Sequence, residues 1–119
     1  DCIEIMQKTK TQLGHVNKFL LAQQPEDYSA ILDELDAEVR TLAATPYDES
    51  DRYWQRVVAC RLEAGDATMA AAHAAMLHTG ARGYMMSNRA QRRMREAYFV
   101  GIVTPATKQL RKMLAEMPA

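Results

Sequence analysis

The feature that most constrains the fold is a long stretch of helical periodicity over residues 50–79. Apolar and small residues recur there every three or four positions, as on the buried face of an amphipathic helix. A helix of this length spans about 45 Å at 1.5 Å per residue. Its second half, from Ala70 to Ala75, consists of alanines around one histidine. Neighbouring helices can therefore approach it closely.

The same periodicity predicts two helices before this stretch, near residues 2–24 and 27–44. Pro25 suits the first turn of the second helix, because a proline needs no hydrogen-bond donor there and the following acids favour the positive helix end. The first helix presents an apolar stripe of Cys2, Met6, Thr9, Leu13, Val16 and Leu20. The second presents an apolar face of Tyr28, Ile31, Leu32, Leu35, Val39 and Leu42, and an acidic face of Asp33, Glu34, Asp36 and Glu38.

Local signals place the ends of the third helix, near 50–79, and of a fourth segment, near 89–117. Ser50 or Asp48 can cap the third helix, and Gly80 can end it. Asn88 with Gln91 has the form of a capping box for the fourth segment.

Pro105 falls inside the fourth segment, where it would remove a helical hydrogen bond. We therefore expect a break into helices near 89–101 and 105–117, with Thr104 as the N-cap and Pro105 as the first helical residue.

No segment shows the period-two alternation of a half-buried strand, and the connectors are short, so consecutive helices should lie antiparallel. The sequence predicts an all-α protein with a single domain over residues 1–119, folded as an up-and-down four-helix bundle. Its core is expected to contain Leu13, Leu35, Leu62, Met76 and Leu110.

Charge is distributed unevenly although the net charge is zero. Residues 1–51 carry eleven acids and four bases, a net −7, whereas residues 52–119 carry four acids and eleven bases, a net +7. Either the two halves face each other and neutralise locally, or the second half offers a basic surface to an anionic ligand. Five arginines, Arg82, Arg89, Arg92, Arg93 and Arg95, are expected to pair with the acidic face of the second helix.

Metal, nucleic-acid and membrane partners are not expected. His73 and His78 are five apart, which puts them about 140° apart on a helix and prevents both from holding one metal. His15 is the third histidine, and His73 is expected to be packed in the alanine-rich face. The chain is neutral with few aromatics near its arginines, which argues against nucleic acid. Two unpaired cysteines and the absence of a long apolar run favour a cytoplasmic protein.

Residues 78–111 contain three stretches that form one pattern: His78-Thr-Gly-Ala-Arg-Gly-Tyr84, Gln91-Arg-Arg-Met-Arg-Glu-Ala97, and Ile102-Val-Thr-Pro-Ala-Thr-Lys-Gln-Leu-Arg111. This pattern resembles the C-terminal helical domain of acyl-CoA dehydrogenases. That family has a Gly-Gly-x-Gly-Tyr loop, an Arg-x-x-Arg-Asp-Ala helix start, and an Ile-Tyr-Glu-Gly-Thr segment followed by an arginine. The resemblance implies a four-helix bundle, in agreement with the periodicity. The matching positions, in one register, are Gly80, Gly83, Tyr84, Arg92, Arg95, Ala97, Ile102 and Arg111. Gly65 and Asp66 also stand where the family often has a small residue and an acid.

Thr104 stands at the position of the family's usual catalytic base, the glutamate before Gly-Thr. A hydroxyl has no useful basicity near neutral pH, so no catalytic residue is predicted. The resemblance implies that the loop could contribute part of an FAD site. The candidate cofactor-binding residues are Gly80, Ala81, Arg82 and Gly83.

Two functions follow as hypotheses. In the first, the chain is the C-terminal helical domain of an acyl-CoA dehydrogenase-like flavoprotein, which packs subunits together and is inactive alone. In the second, it is a non-enzymatic helical interaction protein without flavin. Both imply association into a dimer or tetramer, and the first also implies contact with the rest of the flavoprotein chain or a companion subunit.

Overall fold

The computed structural model describes residues 1–12 and 20–118. Regular structure in these two ranges is helical throughout, without a strand, so the all-α class is confirmed for this part of the chain. The elements are α1 (Cys2–Gln12), α2 (Pro25–Ala43), α3 (Asp51–Thr79), a 3₁₀ turn (Gly80–Tyr84), α4 (Arg89–Ile102) and α5 (Thr107–Glu116).

Helix α3 is the axis of the molecule, because every other helix packs against it. Its start matches the prediction: the Ser50 hydroxyl accepts the backbone N–H of Tyr53 at 3.2 Å. The Asp48 carboxylate in turn accepts the N–H of Ser50 at 2.8 Å, and hydrogen bonding to Ser50 lowers the pKa of Asp48 below its ordinary value. The two predicted capping residues therefore act in sequence at one helix end.

Helix α2 begins at Pro25, as predicted. The prediction that the first helix continues to residue 24 is wrong. Residues 20–24 are not helical, and Leu20 is 81% exposed. Gln24 is extended, with φ −105° and ψ 158°, because a residue before proline is pushed out of the helical region. The predicted stripe residues Leu13 and Val16 lie outside the described residues.

The main core lies where α1 and α2 meet the alanine-rich half of α3 and the start of α4. Alanine methyls let the helices approach closely, and burial of a side chain the size of Met6 is worth roughly 1.5–3 kcal/mol. The Tyr28 hydroxyl donates to the Ala70 carbonyl at 3.1 Å and so joins α2 to α3. The buried cluster consists of Ile5, Met6, Tyr28, Ala74, Ala75 and Ala90.

The predicted set of core residues is confirmed only in part. Leu35 and Leu62 are only partly buried, and Met76 lies at the edge of the cluster. Leu110 is 2% exposed, but it belongs to the contact of α5 with α3 and not to the main cluster. Leu13 lies outside the described residues. The core forms around alanines because small side chains allow the closest helix contacts.

The break in the fourth segment is confirmed, since α4 ends at Ile102 and α5 begins at Thr107. The predicted N-cap, Thr104, is wrong: the N-cap is Ala106. Its backbone N–H donates to the Gln109 side-chain oxygen at 2.7 Å, and this bond places the cap two residues later than expected. The peptide bond between Thr104 and Pro105 is cis.

Arg61 satisfies a carbonyl at the end of α4. The last carbonyls of a helix have no partner within it, and the Arg61 guanidinium donates to the Val100 oxygen at 3.1 Å. The guanidinium passes over Gly65, where an added Cβ would lie 3.1 Å from Arg61 Nη1. The glycine therefore leaves room for the arginine that ties α3 to α4.

We predict that Arg61→Ala lowers the free energy of unfolding by about 1.5–3 kcal/mol, as is usual for a lost hydrogen bond to a charged group. Gly65→Ala should destabilise the wild-type chain by crowding Arg61. In the Arg61→Ala background it should stabilise by up to about 1 kcal/mol, because alanine is the better helix former. Urea unfolding of the four chains measures this cycle.

The matched control is Arg52→Ala, which removes an exposed arginine from the same helix and should change little. Additive effects of the Arg61 and Gly65 substitutions would contradict the proposed contact.

Candidate functional site

The turn at the end of α3 contains the residues expected to bind a cofactor. Gly80 ends the helix with φ 69° and ψ −151°, a conformation open essentially to glycine alone. Its N–H donates to the Met76 carbonyl. A Cβ on Gly83 would lie 3.3 Å from both the Met76 Sδ and the Thr79 Cβ. The fold therefore explains why both positions are glycine.

Gly80, Ala81 and Arg82 are exposed, whereas Gly83 is buried beneath the turn. Arg82 makes no ion pair with any described residue, so its guanidinium is open to an anion. The backbone of the turn is engaged in short-range bonds, such as that from the Met85 N–H to the Arg82 carbonyl at 3.2 Å. FAD binding at these four residues stays a prediction.

Thr104 lies exposed in the connection between α4 and α5. The glycine turn precedes α4 and Thr104 follows it, and 14 helical residues separate two points by about 21 Å. The structure does not bring the two motif positions together within this chain.

The prediction that the arginine run pairs with the acidic face of α2 is wrong. Arg89 and Arg93 both pair with Asp1, because α4 packs against α1 and α3. Arg92 and Arg93 also pair with Glu96, and their hydrogen bonds lower the pKa of Glu96. Most of the run is therefore neutralised at the α1–α4 contact and along α4.

His78, and not His73, is the buried histidine of α3. His73 is exposed, so its predicted packing in the alanine face is wrong, whereas His78 is 8% exposed. His78 Nε2 lies 2.9 Å from the Gln23 carbonyl, and a carbonyl can only accept, so this nitrogen carries the proton. His15 lies outside the described residues.

Residues 1–12 and 20–118 contain no group of three or more histidine, cysteine or acidic side chains arranged to hold a metal ion. Among the helices of these ranges, none combines the length and the apolar character that crossing a bilayer requires.

The two cysteines are free thiols of low reactivity. Cys2 is half-buried and Cys60 is buried. Burial raises the pKa of each thiol above its ordinary value, so both stay protonated near neutral pH, and the thiolate is the nucleophilic form.

An apolar groove of about 340 Å³ runs between α2 and α3, and we call it the α2 groove. The leucine at its rim, Leu32, is 58% exposed, and Val39 is 52% exposed. Its floor on α3 carries small residues. It is lined by Ile3, Tyr28, Ile31, Leu32, Leu35, Asp36, Val39, Cys60, Ala64, Ala67, Thr68 and Ala71.

One ion pair joins α2 to α3 near this groove. Arg56 of α3 donates two hydrogen bonds of 2.8 Å to Glu38 of α2, and these bonds lower the pKa of Glu38. The groove is not predicted above, although the sequence contains a pattern that marks it. Small residues follow one face of α3 at spacings of four and three, opposite the larger residues of α2: Cys60, Ala64, Ala67 and Ala71.

Comparisons of the chain with protein-family models, with curated proteins and with solved structures found no match.

We predict that Gly80→Ala lowers the free energy of unfolding by about 1–3 kcal/mol, because a side chain at this backbone conformation is strained. Thermal or urea unfolding measures the change. Arg82→Ala, an exposed substitution in the same turn, is the control and should leave stability within about 0.5 kcal/mol of wild type. Equal stability of Gly80→Ala and wild type would contradict the assigned role of this glycine.

Proposed function

We propose that the chain is a non-catalytic helical association domain, which joins protein subunits through the α2 groove. The observation that carries this proposal is the open apolar rim of the groove. Leu32 and Val39 are more than half exposed and lie two turns apart on one face of α2. Contiguous apolar surface of this kind marks interaction sites in soluble proteins.

The side chains with catalytic potential support a non-catalytic role. Thr104 replaces the carboxylate that would serve as a base, and burial raises the pKa of both thiols. His78 is buried and bonded to a backbone carbonyl. We place the domain in the cytoplasm, where free thiols such as Cys2 and Cys60 persist.

We propose that this association domain belongs to an acyl-CoA dehydrogenase-like flavoprotein. The chain would be its C-terminal domain, a four-helix bundle. The support is the resemblance of residues 78–111 together with one contact between resembling positions. Asp66 of α3 pairs with Arg111 of α5 at 2.9 Å, beside the helix contact that Gly65 permits. In this context, association gives a dimer or tetramer and includes the rest of the flavoprotein chain or a companion subunit.

The alternative is a helical interaction protein without flavin. The observation that favours it is the structural role of the two glycines in the turn: Gly80 ends α3, and Gly83 accommodates Met76 and Thr79. Neither glycine needs a bound pyrophosphate to explain it. Flavin binding separates the two contexts, whereas association is common to both.

We predict that the isolated chain binds FAD weakly or not at all and has no dehydrogenase activity. A site at Gly80, Ala81, Arg82 and Gly83 touches only one end of the cofactor, and binding must offset about 4–15 kcal/mol of lost translational and rotational freedom. Titration of FAD, followed by flavin fluorescence, measures the affinity. Arg82→Ala is the matched variant, and it should weaken any residual binding if Arg82 pairs with a phosphate. Sub-micromolar binding, or reduction of the flavin by an acyl-CoA, would contradict the prediction.

We predict that the chain forms a dimer or tetramer at high micromolar concentration in sedimentation. Leu32→Glu should weaken this association about 10–100-fold, because burial of a leucine side chain is worth roughly 1.5–3 kcal/mol and each 1.4 kcal/mol is tenfold in affinity. Leu77→Glu, at a similarly exposed leucine near the end of α3, is the control. A strict monomer at these concentrations would contradict the proposed function.

A further inference from the structure

The charge around the α2 groove restricts what can cover it. Helix α2 carries six acids and one base. Three of these acids are paired, Asp36 with Arg40, Glu38 with Arg56 and Glu26 with Lys10, but the helix keeps a net negative charge. Two copies that met through α2 on α2 would place these acids against each other, and like charges repel at short range. The groove therefore favours a basic, apolar partner over its own equivalent.

Helix α4 has a second exposed apolar face, and this one is basic. We call it the α4 face, and it consists of Arg92, Arg95, Phe99 and Ile102, whose spacing places them on one side of the helix. Phe99 is 61% exposed and Ile102 is 71% exposed. Arg95 makes no ion pair with any other residue among 1–12 and 20–118. Helix α4 as a whole carries four bases and one acid. The acid, Glu96, pairs with Arg92, so Arg95 supplies the positive charge of this face.

The α2 groove and the α4 face match in length and lie on different parts of the molecule. The groove extends along α3 from Cys60 to Ala71, which is about 16 Å at 1.5 Å per residue. Helix α4 has 14 residues and is about 21 Å long. Helix α4 packs on α1, α3 and the 3₁₀ turn, and α2 packs on α1 and α3. A helix laid in an apolar groove is a common mode of protein recognition.

We infer that the α2 groove of one copy binds the α4 face of a second copy, so that copies join head to tail. Phe99 and Ile102 enter the groove beside Leu32 and Val39, and Arg95 faces the acids of α2. This inference rests on the proposed association and adds its partner and orientation. A contact between two different faces gives a ring when its rotation closes and a filament when it does not.

Mixing two variants tests the orientation. Leu32→Glu disables the α2 groove, and Phe99→Arg disables the α4 face while keeping its sign of charge. We expect each variant alone to be monomeric, with affinity reduced at least about tenfold. An equimolar mixture should form a one-to-one heterodimer, because each variant contributes its intact face. Sedimentation of the two variants, separately and mixed, measures these species.

Association of the Phe99→Arg chain as strong as wild type would overturn the inference, as would a mixture that stays monomeric while wild type associates. Either result would leave the proposed association standing. A monomeric wild-type chain would overturn both. Circular dichroism checks that each variant keeps wild-type helicity, and Leu77→Glu must associate as wild type does. The pair Val39→Glu and Ile102→Arg must reproduce the pattern, so that misfolding of one variant cannot produce the result.

Salt provides a second measurement. Screening shortens the Debye length from about 8 Å at physiological ionic strength to about 3 Å at 1 M. Head-to-tail contact between the acidic α2 and the basic α4 should therefore weaken as salt rises. Association that strengthens with salt would indicate contact between like-charged faces and would overturn the inference.

Discussion

The close packing of alanines in the second half of α3 is the contact on which the rest of the structure depends. Ala72 and Ala75 are fully buried, and Ala74 is 3% exposed. Because these side chains end at the Cβ, α1 and α4 can both lie directly against the α3 backbone. This approach is what buries Met6, and it also places Asp1 within reach of Arg89 and Arg93. The arginine pairs are therefore a consequence of the alanine contact.

The first half of α3 is less closely packed on its side facing α2, because a groove separates part of the two helices. Cys60 and Ala64 are small as well, but the helix opposite them is held by Glu38 and Arg56 at its edge, and the space between is left open. Small residues thus have two results in one helix. Where α1 and α4 cover them they form part of the core, and where α2 covers them only partly they form the floor of the α2 groove.

The sequence predicted those features that depend on neighbouring residues. Ser50 and Gly80 form or terminate hydrogen bonds within one helical turn, and Pro25 restricts its own backbone. The ends of α3 and the start of α2 could therefore be predicted. The core, the partners of the arginines and the α2 groove depend on which helices meet. Periodicity identifies the apolar side of a helix such as α2, but it does not say whether another helix covers Leu32 or only Tyr28.

The glycine turn shows the same limit for function. A glycine near a loop can permit a close ligand or an unusual backbone, and the sequence pattern alone does not distinguish them. Gly80 has a positive φ, and Gly83 fits against Met76, so the fold accounts for both. A residue that the fold does not explain is a better indicator of function. Arg82 in this turn is such a residue, exposed and without an ion pair among the described residues.

Charge connects these local features to association. The two halves of the chain carry −7 and +7, and part of this difference is cancelled where α1 meets α4 and where Glu38 meets Arg56. The remainder stays on surfaces that also carry exposed apolar side chains, acidic on α2 and basic on α4. Apolar contact has no preferred direction, so it cannot by itself choose between two copies of one face and two different faces. Opposite charge on two apolar faces supplies that choice, because it attracts unlike faces and repels like ones.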